Sequence, residues 1–575
     1  MKMLVSDFIV EFLVSKGVTD VFGYQGGMIT YLFDAFKRHE AKIKYHIPYN
    51  EQGAAFAACG YAQASGKLGF AFVTSGPGFT NLATGIANAY FDSIPTMFIS
   101  AQVNYKDKRH GAPYRQKGFQ EINAPEIARP MVKKSYDIDT GDQIYSSLTE
   151  AYNIAMSGRK GPVFLEIPIN VFRDEIDVPG FDSPKEEKLE NKTLFAEALQ
   201  GLMNAKRPLI IAGAGVDQSE TRDLFRQFVS TFQVPVVTTL PGIDVLPDSS
   251  PYKFQYIGAS GRRLPNLLLF QADYILTLGT RLSTRQVGHH LECFAPSAKL
   301  ARLDIDENEF VRKVKENELQ IHSEIKPFLE FALNDSFRFT KADHSAWVKT
   351  CGELKTLLDP FDKSEGNLFM EKATSLLPGD SNIVLDVGKN EIWGAQSSCI
   401  KNGTRAYLST GLGSMGYSLP AAIGAYYGNK KPTFSFNGDG GIQMNIQELQ
   451  TISENHLPIK IFVLNNHALG MITLFQDQYF ESRYVADKDC KGDYHSANIT
   501  KIAGAYGIKG VTLTSLDDIE NYQKDLASPD PVLFEFNLKN DDEPILPGIP
   551  AGSDPLSTGE PLPESVLNAI KELLA

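Results

Sequence analysis

TFSFNGDGGIQMNIQELQTISENHLPIKIFVLNN, residues 433–466, decides the fold. The run TFSFN reads as a buried strand and the turn Gly438-Asp439-Gly440-Gly441 ends it. A helical stretch follows, and IKIFVL (459–464) is the next buried strand. That order predicts a right-handed βαβ unit with a ligand-binding loop at the carboxyl end of the first strand. Glycines let backbone approach a phosphate, and the start of the following helix favours an anion. Asp439 at one strand end and Asn466 at the next would lie side by side. Both offer oxygen, the donor type suited to a Mg2+ that also holds phosphate oxygens.

The pattern has an earlier echo. GFAFVT (69–74) leads into Ser75-Gly76-Pro77-Gly78, and PTMFIS (95–100) follows. Strand-like runs alternate with helical ones along the chain, which predicts parallel α/β architecture. Two polar stretches interrupt it, DEIDVPGFDSPKEEKLENK (174–192) and NDSFRFTKAD (334–343). Three doubly wound parallel-sheet domains are therefore expected, over 1–175, 190–335 and 350–575. At the N-terminus Leu4, Val5, Phe8, Ile9, Phe12 and Leu13 recur at helical spacing, which reads as the first helix of a domain and not as a signal peptide.

Composition excludes some functions. With 43% hydrophobic and 22% charged residues, the 575-residue chain is globular and not disordered. A net charge of −13 disfavours nucleic acid or an anionic membrane as partner. No apolar run reaches the ~18 residues of a membrane span. The five cysteines are scattered without a CxxC, which reads as reduced thiols in a cytoplasmic protein.

Other motifs stand in a fixed order: VFGYQGG (21–27), EQGAAFAACGYAQASG (51–66), TSGPGFTNLATGIANAYFDSIP (74–95), GFQEIN (118–123), RPLIIAGAGV (207–216), DVG (386–388), STGLGSMGYSLPAAIGA (409–425), LNNHALGMI (464–472) and ILPGIPAG (545–552). With them the chain resembles the acetohydroxyacid (acetolactate) synthase catalytic subunit and its relatives, from near its first residue to about Ser553. The resemblance implies a thiamine-diphosphate carboligase that decarboxylates pyruvate and transfers the two-carbon unit to a carbonyl acceptor. It implies a pyrimidine-binding, a central flavin-type and a diphosphate-binding domain, the last with a C-terminal lid segment.

The resemblance assigns Glu51 to the aminopyrimidine ring, with a hydrogen bond that lets the ring take the thiazolium C2 proton. A carboxylate at a helix start also gains from the helix dipole. The Ala- and Gly-rich helix after Glu51 is expected to pack closely beside the cofactor. Gly26, Gln102, Phe119, Gln120 and Lys133 are the other catalytic residues implied. Pro77, Asn81, Gly388, Lys389, Asn390, Gly413, Met415, Gly440, Gly441 and Met471 would hold thiamine diphosphate. Asp439, Asn466 and Ala468 would hold Mg2+. In the middle segment, Gly213, Gly215, Thr238, Thr239, Leu240, Gly258, Ser260, Gly261, Gly279, Arg281, Arg285, Asp304 and Ile305 fall where a non-redox FAD is held, although GAG alone lacks the full GxGxxG.

Arg285 also matches an arginine that meets the acceptor carboxylate, and Phe475 stands where the synthases carry a pocket-shaping tryptophan. Lys389-Asn390 replace Gln-His, Leu282-Ser283-Thr284 replace Phe-Asp-Asp, and Gln25 replaces a proline. The loop 103–118 looks longer than in the synthases and carries Lys106, Lys108, Arg109, His110, Arg115 and Lys117. It opens the alternative of a nucleotide-linked keto sugar as acceptor. A pyruvate oxidase-type flavoenzyme is a further alternative. The partners expected are pyruvate, a carbonyl acceptor and further copies of the chain, with active sites between subunits.

Overall fold

Three six-stranded parallel sheets carry the chain, one per domain. The computed structural model describes residues 2–181, 189–218, 220–335, 343–488, 494–539 and 544–575. The middles of both polar breaks, and Cys490, lie outside the described residues.

From edge to edge the first sheet runs Lys44–His46, Asp20–Gly23, Gly69–Val73, Thr96–Gln102, Val163–Pro168, Lys134–Asp137. The third runs Arg405–Leu408, Asn382–Leu385, Thr433–Gly438, Ile459–Asn465, Val532–Asn537, Lys509–Leu513. Counted within each domain, both orders are 2-1-3-4-6-5, so the likeness between the first and third segments is one of topology. The central sheet runs Lys253–Tyr256, Val236–Thr238, Pro208–Ala212, Tyr274–Leu278, Lys299–Asp304, Leu319–His322. Its order, 3-2-1-4-5-6, is the one shared by dinucleotide-binding folds. Inner strands such as Gly69–Val73 and Val163–Pro168 are buried along their whole length, as helices on both faces require. Lys2–Leu4 pairs antiparallel with Glu175–Asp177 and ties the end of the first domain to its start.

Helix Glu51–Ser65 begins at Asn50, whose side chain accepts from Gln52 N (2.8 Å), and ends at the left-handed Gly66. It lies against helix Ser418–Asn429 of the third domain. A Cβ on Gly60 would strike the Ala421 carbonyl, and one on Gly424 the Ala57 carbonyl. The small residues after Glu51 therefore serve a backbone-to-backbone helix crossing. Through this crossing the first and third domains share one apolar core.

The expected third unit, 350–575, is divided in its packing. Trp347, Cys351, Leu354 and Leu358 of helix Ser345–Leu358, and Val566 and Ile570 of helix Glu564–Leu574, are buried in the core of the central domain. Among the described residues no helix is long and apolar enough to cross a membrane.

Candidate active site

In the third sheet the strand order reverses between the parallel strands Asn382–Leu385 and Thr433–Gly438, and their carboxyl ends form the crevice where open α/β sheets bind ligands. Asp439 is the first residue past one of these ends. Gly438 is paired with Leu464, so Asn466 emerges on the adjacent strand beside Asp439. Both are buried. Tyr494 donates its hydroxyl to Asp439 Oδ2 (2.8 Å), and burial pushes the Asp439 carboxyl up to about 6. A Cβ on Gly470 would lie 2.8 Å from Lys389 Cε and 2.9 Å from Asn466 Nδ2, so the Lys389 stem runs beside Asn466. Ala468 bridges to Lys488. No group of three or more His, Cys, Asp or Glu that could hold a metal occurs among the described residues. A carboxylate and an amide oxygen side by side fit a Mg2+ completed by phosphate oxygens.

Two glycines at this end of the sheet leave open space. Gly388 (φ +96°) and Gly413 (φ +72°) adopt left-handed backbone, and a Cβ on either would meet nothing within 4 Å. Met415 comes to Gly440: a Cβ built there would sit 3.5 Å from Met415 Cε. Asn390 faces elsewhere. Its Nδ2 donates to the carbonyls of Asp386 and Phe436 (3.1 and 3.0 Å), so it laces two strand ends together.

The sequence reading passed over Asp386. Its carboxylate accepts from the backbone of Val387, Gly416 and Tyr417 (2.9, 3.0 and 3.3 Å) and so fixes the end of the loop carrying Gly413 and Met415. Burial raises it to about 7. An aspartate ending a buried strand was the available signal.

The first sheet has a matching crevice between Asp20–Gly23 and Gly69–Val73. Gly26 presses on Thr74, where a Cβ would come within 2.5 Å of Thr74 Cβ, and Gly76 presses on Gln120. The hydroxyls of Thr74 and Ser75 are buried without a hydrogen-bond partner. Glu51, at the start of its helix, is buried and accepts from Asn81 Nδ2 (2.9 Å). Gly26, Glu51, Pro77, Asn81 and Gln120 thus belong to one end of one sheet. Gln102 has a supporting part: its Nε2 donates to Ile122 O (2.7 Å) and holds the loop that bears Phe119, a ring 79% exposed. Lys133 is not brought to Glu51. It precedes the edge strand Lys134–Asp137, at the sheet's opposite end, and donates to the carbonyls of Ile154 and Ser157. Desolvation there lowers its ammonium to about 8.

Residues flanking Glu51 bond to the third domain. Tyr49 N donates to Glu448 Oε1 (3.0 Å), and Asn445 Nδ2 donates to Gln52 Oε1 (3.1 Å). Glu448 is a second acid that the sequence reading missed.

All three domains border a cavity of about 1400 Å3 at the carboxyl end of the central sheet. Of the residues expected to hold a flavin, Gly215, Thr239, Leu240, Ser260, Gly279, Arg281, Arg285, Asp304 and Ile305 line it. Gly213, Gly258 and Gly261 stand behind them as close-approach points, against Gly279 O, Arg285 O and Tyr256 O, and Thr238 is buried with its hydroxyl unpaired. Glu391 is buried near Arg285, and burial raises it to about 8. Phe475 is 54% exposed and lies against Tyr479 with the rings tilted, centroids 4.6 Å apart.

Three family models match in chain order: the N-terminal thiamine pyrophosphate (TPP) binding domain of thiamine pyrophosphate enzymes at 3–127, their central domain at 195–331, and their C-terminal TPP binding domain at 386–536. The chain is 36% identical to the acetolactate synthase large subunit of Lactococcus lactis subsp. lactis, over 95% of this chain and 94% of that one. It is 30% identical to the acetolactate synthase isozyme 2 large subunit of Escherichia coli, over 95% and 98%. It is 33% identical to the chloroplastic acetolactate synthase 1 of Nicotiana tabacum, over 95% and 83%. The chain belongs to the acetolactate synthase family of thiamine pyrophosphate enzymes.

Within this family the long loop 103–118 has an internal organisation. Glu121 gathers the backbone N–H groups of Arg109, Lys117 and Gly118 (2.6, 2.8 and 3.3 Å), and Lys108 is paired with Asp137 and Asp139. Part of the loop's positive charge is therefore spent inside the first domain. The family finding does not favour the keto-sugar or oxidase alternatives.

Proposed function

We propose that this enzyme decarboxylates pyruvate and joins the two-carbon unit to a second 2-oxo acid, with thiamine diphosphate, Mg2+ and a structural FAD. Bound thiamine diphosphate supplies the carbon nucleophile and the electron sink for decarboxylation. The observation that carries the reading is Glu51, buried at a helix start with one oxygen engaged by Asn81 and the other left for a ring nitrogen. In that place the carboxylate holds a proton for the pyrimidine and returns it. Asp439 and Asn466 would hold the metal, and Lys389 adds a cation beside them. The orphan hydroxyls of Thr74 and Ser75 fit a polar ring edge. Arg285 supplies the charge for an acceptor carboxylate.

For FAD, the support is the 3-2-1-4-5-6 strand order and a cavity larger than the ~300–1000 Å3 of drug-sized ligand sites. For a homo-oligomer, it is exposed apolar side chains flanking both crevices, among them Phe119, Met415, Met471 and Phe475. The described cysteines are free thiols, in keeping with a reducing cytoplasm.

Product analysis tests the reading. With pyruvate, Mg2+, thiamine diphosphate and FAD, the purified enzyme is expected to form acetolactate. Arg285→Ala should cut this by about 10–100-fold, a lost charge-assisted contact, with a smaller change in decarboxylation. Absence of acetolactate refutes the proposal, and bleaching of the flavin by pyruvate points to an oxidase.

A further inference from the structure

Three domains meet at Asp92, the residue that closes helix Pro77–Phe91. Its Oδ1 accepts from Thr410 Oγ1 (2.9 Å) and Gly411 N (2.8 Å) of the third domain. Its backbone carbonyl accepts from Gln218 Nε2 (2.8 Å) of the central domain. The Arg281 charge favours its ionised form, although burial outweighs this and raises the carboxyl to about 6. Oδ2 is enclosed without a hydrogen-bond partner. Asp92, Gln218, Arg281 and Thr410 all border the central cavity.

One turn earlier on the helix, Asn88 accepts from Ser409 Oγ. Gly411 has no room for a side chain against Phe91. The last turn of this helix thus fixes the start of loop 409–417, while Asp386 fixes its end. Gly413 and Met415 lie between. The same helix carries Asn81, the partner of Glu51, near its other end.

We propose that Asp92 is a positioning residue that couples the central cavity to the thiamine loop, so that a ligand engaging Arg281 and Gln218 tightens cofactor binding at Gly413 and Met415. Such coupling is reciprocal between the two ligands. The inference rests on the thiamine and flavin reading above.

The test uses the full chain stripped of cofactors. Thiamine diphosphate with Mg2+ is titrated with and without FAD into wild type, Asp92→Ala and Asp92→Asn, and amide exchange is followed over 410–417. FAD is expected to tighten thiamine diphosphate in wild type by about 5–150-fold. Asp92→Ala should weaken thiamine diphosphate about 10-fold without FAD, from two lost charge-assisted bonds, and shrink the FAD effect below about twofold. Asp92→Asn, which keeps one acceptor oxygen, should fall between. Exchange over 410–417 should rise in the alanine variant while that of helix Glu564–Leu574 stays unchanged.

An FAD effect of the same size in all three proteins, or none in wild type, overturns the coupling. Unchanged thiamine diphosphate affinity in Asp92→Ala, or exchange that rises equally in helix Glu564–Leu574, overturns the positioning role. A wild type that takes up no thiamine diphosphate refutes the functional reading instead, and exchange over 410–417 then judges the clamp by itself. A wild type that takes up no FAD refutes the flavin reading and the coupling with it.

Discussion

Glu51→Gln isolates one proton. Glutamine keeps the length of the side chain and one acceptor oxygen, which can still receive Asn81 Nδ2 at 2.9 Å. What is lost is the negative charge and the oxygen that binds and releases a proton. A charge-assisted bond to the pyrimidine is worth about 1.5–3 kcal/mol, or about 10–150-fold at about 1.4 kcal/mol per decade. Loss of a general acid–base group costs about 10²–10⁴-fold. The two descriptions overlap in one carboxylate, so kcat is expected to fall by about 10²–10⁴ and not by their product. The fold should change little. Removing a charge from a helix start costs about 0.3–1 kcal/mol, a drop in Tm of no more than about 4 °C. The assay pairs steady-state decarboxylation with exchange of the thiazolium C2 proton in bound cofactor. Wild-type exchange in a variant with normal Tm and full cofactor content would remove Glu51 from the proton path.

Asp439→Ala should abolish Mg2+-dependent retention of thiamine diphosphate on gel filtration, since Asn466 cannot hold the ion alone; stoichiometric retention would count against the metal assignment. Gly424→Ala drives a Cβ into the Ala57 carbonyl at the helix crossing and should cost about 1–3 kcal/mol, read as a lowered Tm; an unchanged Tm would mean that the helices are not in backbone contact. Glu448, buried, is raised from 4.5 to about 7, so its contribution to stability is complete below about pH 4.5 and is lost as pH rises through 7. Glu448→Gln, with Thr451 and Tyr49 still available as partners, should therefore match wild type near pH 4 and exceed it at pH 8, by at most about 3 kcal/mol; a Tm difference independent of pH would refute this sign.

The glycine turns and flanking strands were legible because each reports a local constraint. Gly438, Gly440 and Gly441 cluster at the end of the buried run Thr433–Gly438, and Asp439 and Asn466 end adjacent buried strands. What could not be read depends on contacts distant in sequence. Asp386 is one acid among many until the fold brings Gly416 and Tyr417 to it. Glu448 acquires its role from Tyr49, 399 residues away. Lys133 came only with the resemblance, and its place before an edge strand, at the end of the sheet away from Glu51 where helix-end carbonyls hold it, appears only in the fold.

The incomplete dinucleotide fingerprint shows how a departure from a motif can carry information. The first two glycines of GAG are in place because Gly213 and Gly215 both press on the backbone of Gly279, the close approach between the two strands at the crevice. The third glycine of a full fingerprint permits a long helix to pack on its strand. Here that position is Gln218, and the helix is only Gly215–Gln218. A short helix needs no such glycine, and its last residue is free to turn outward. Gln218 does so and donates to Asp92 O across the domain boundary. The residue that weakens the fingerprint is therefore one that joins the central domain to the first, beside the Arg159 pairs with Asp306 and Glu309, and it does so at the point where the first domain holds loop 409–417.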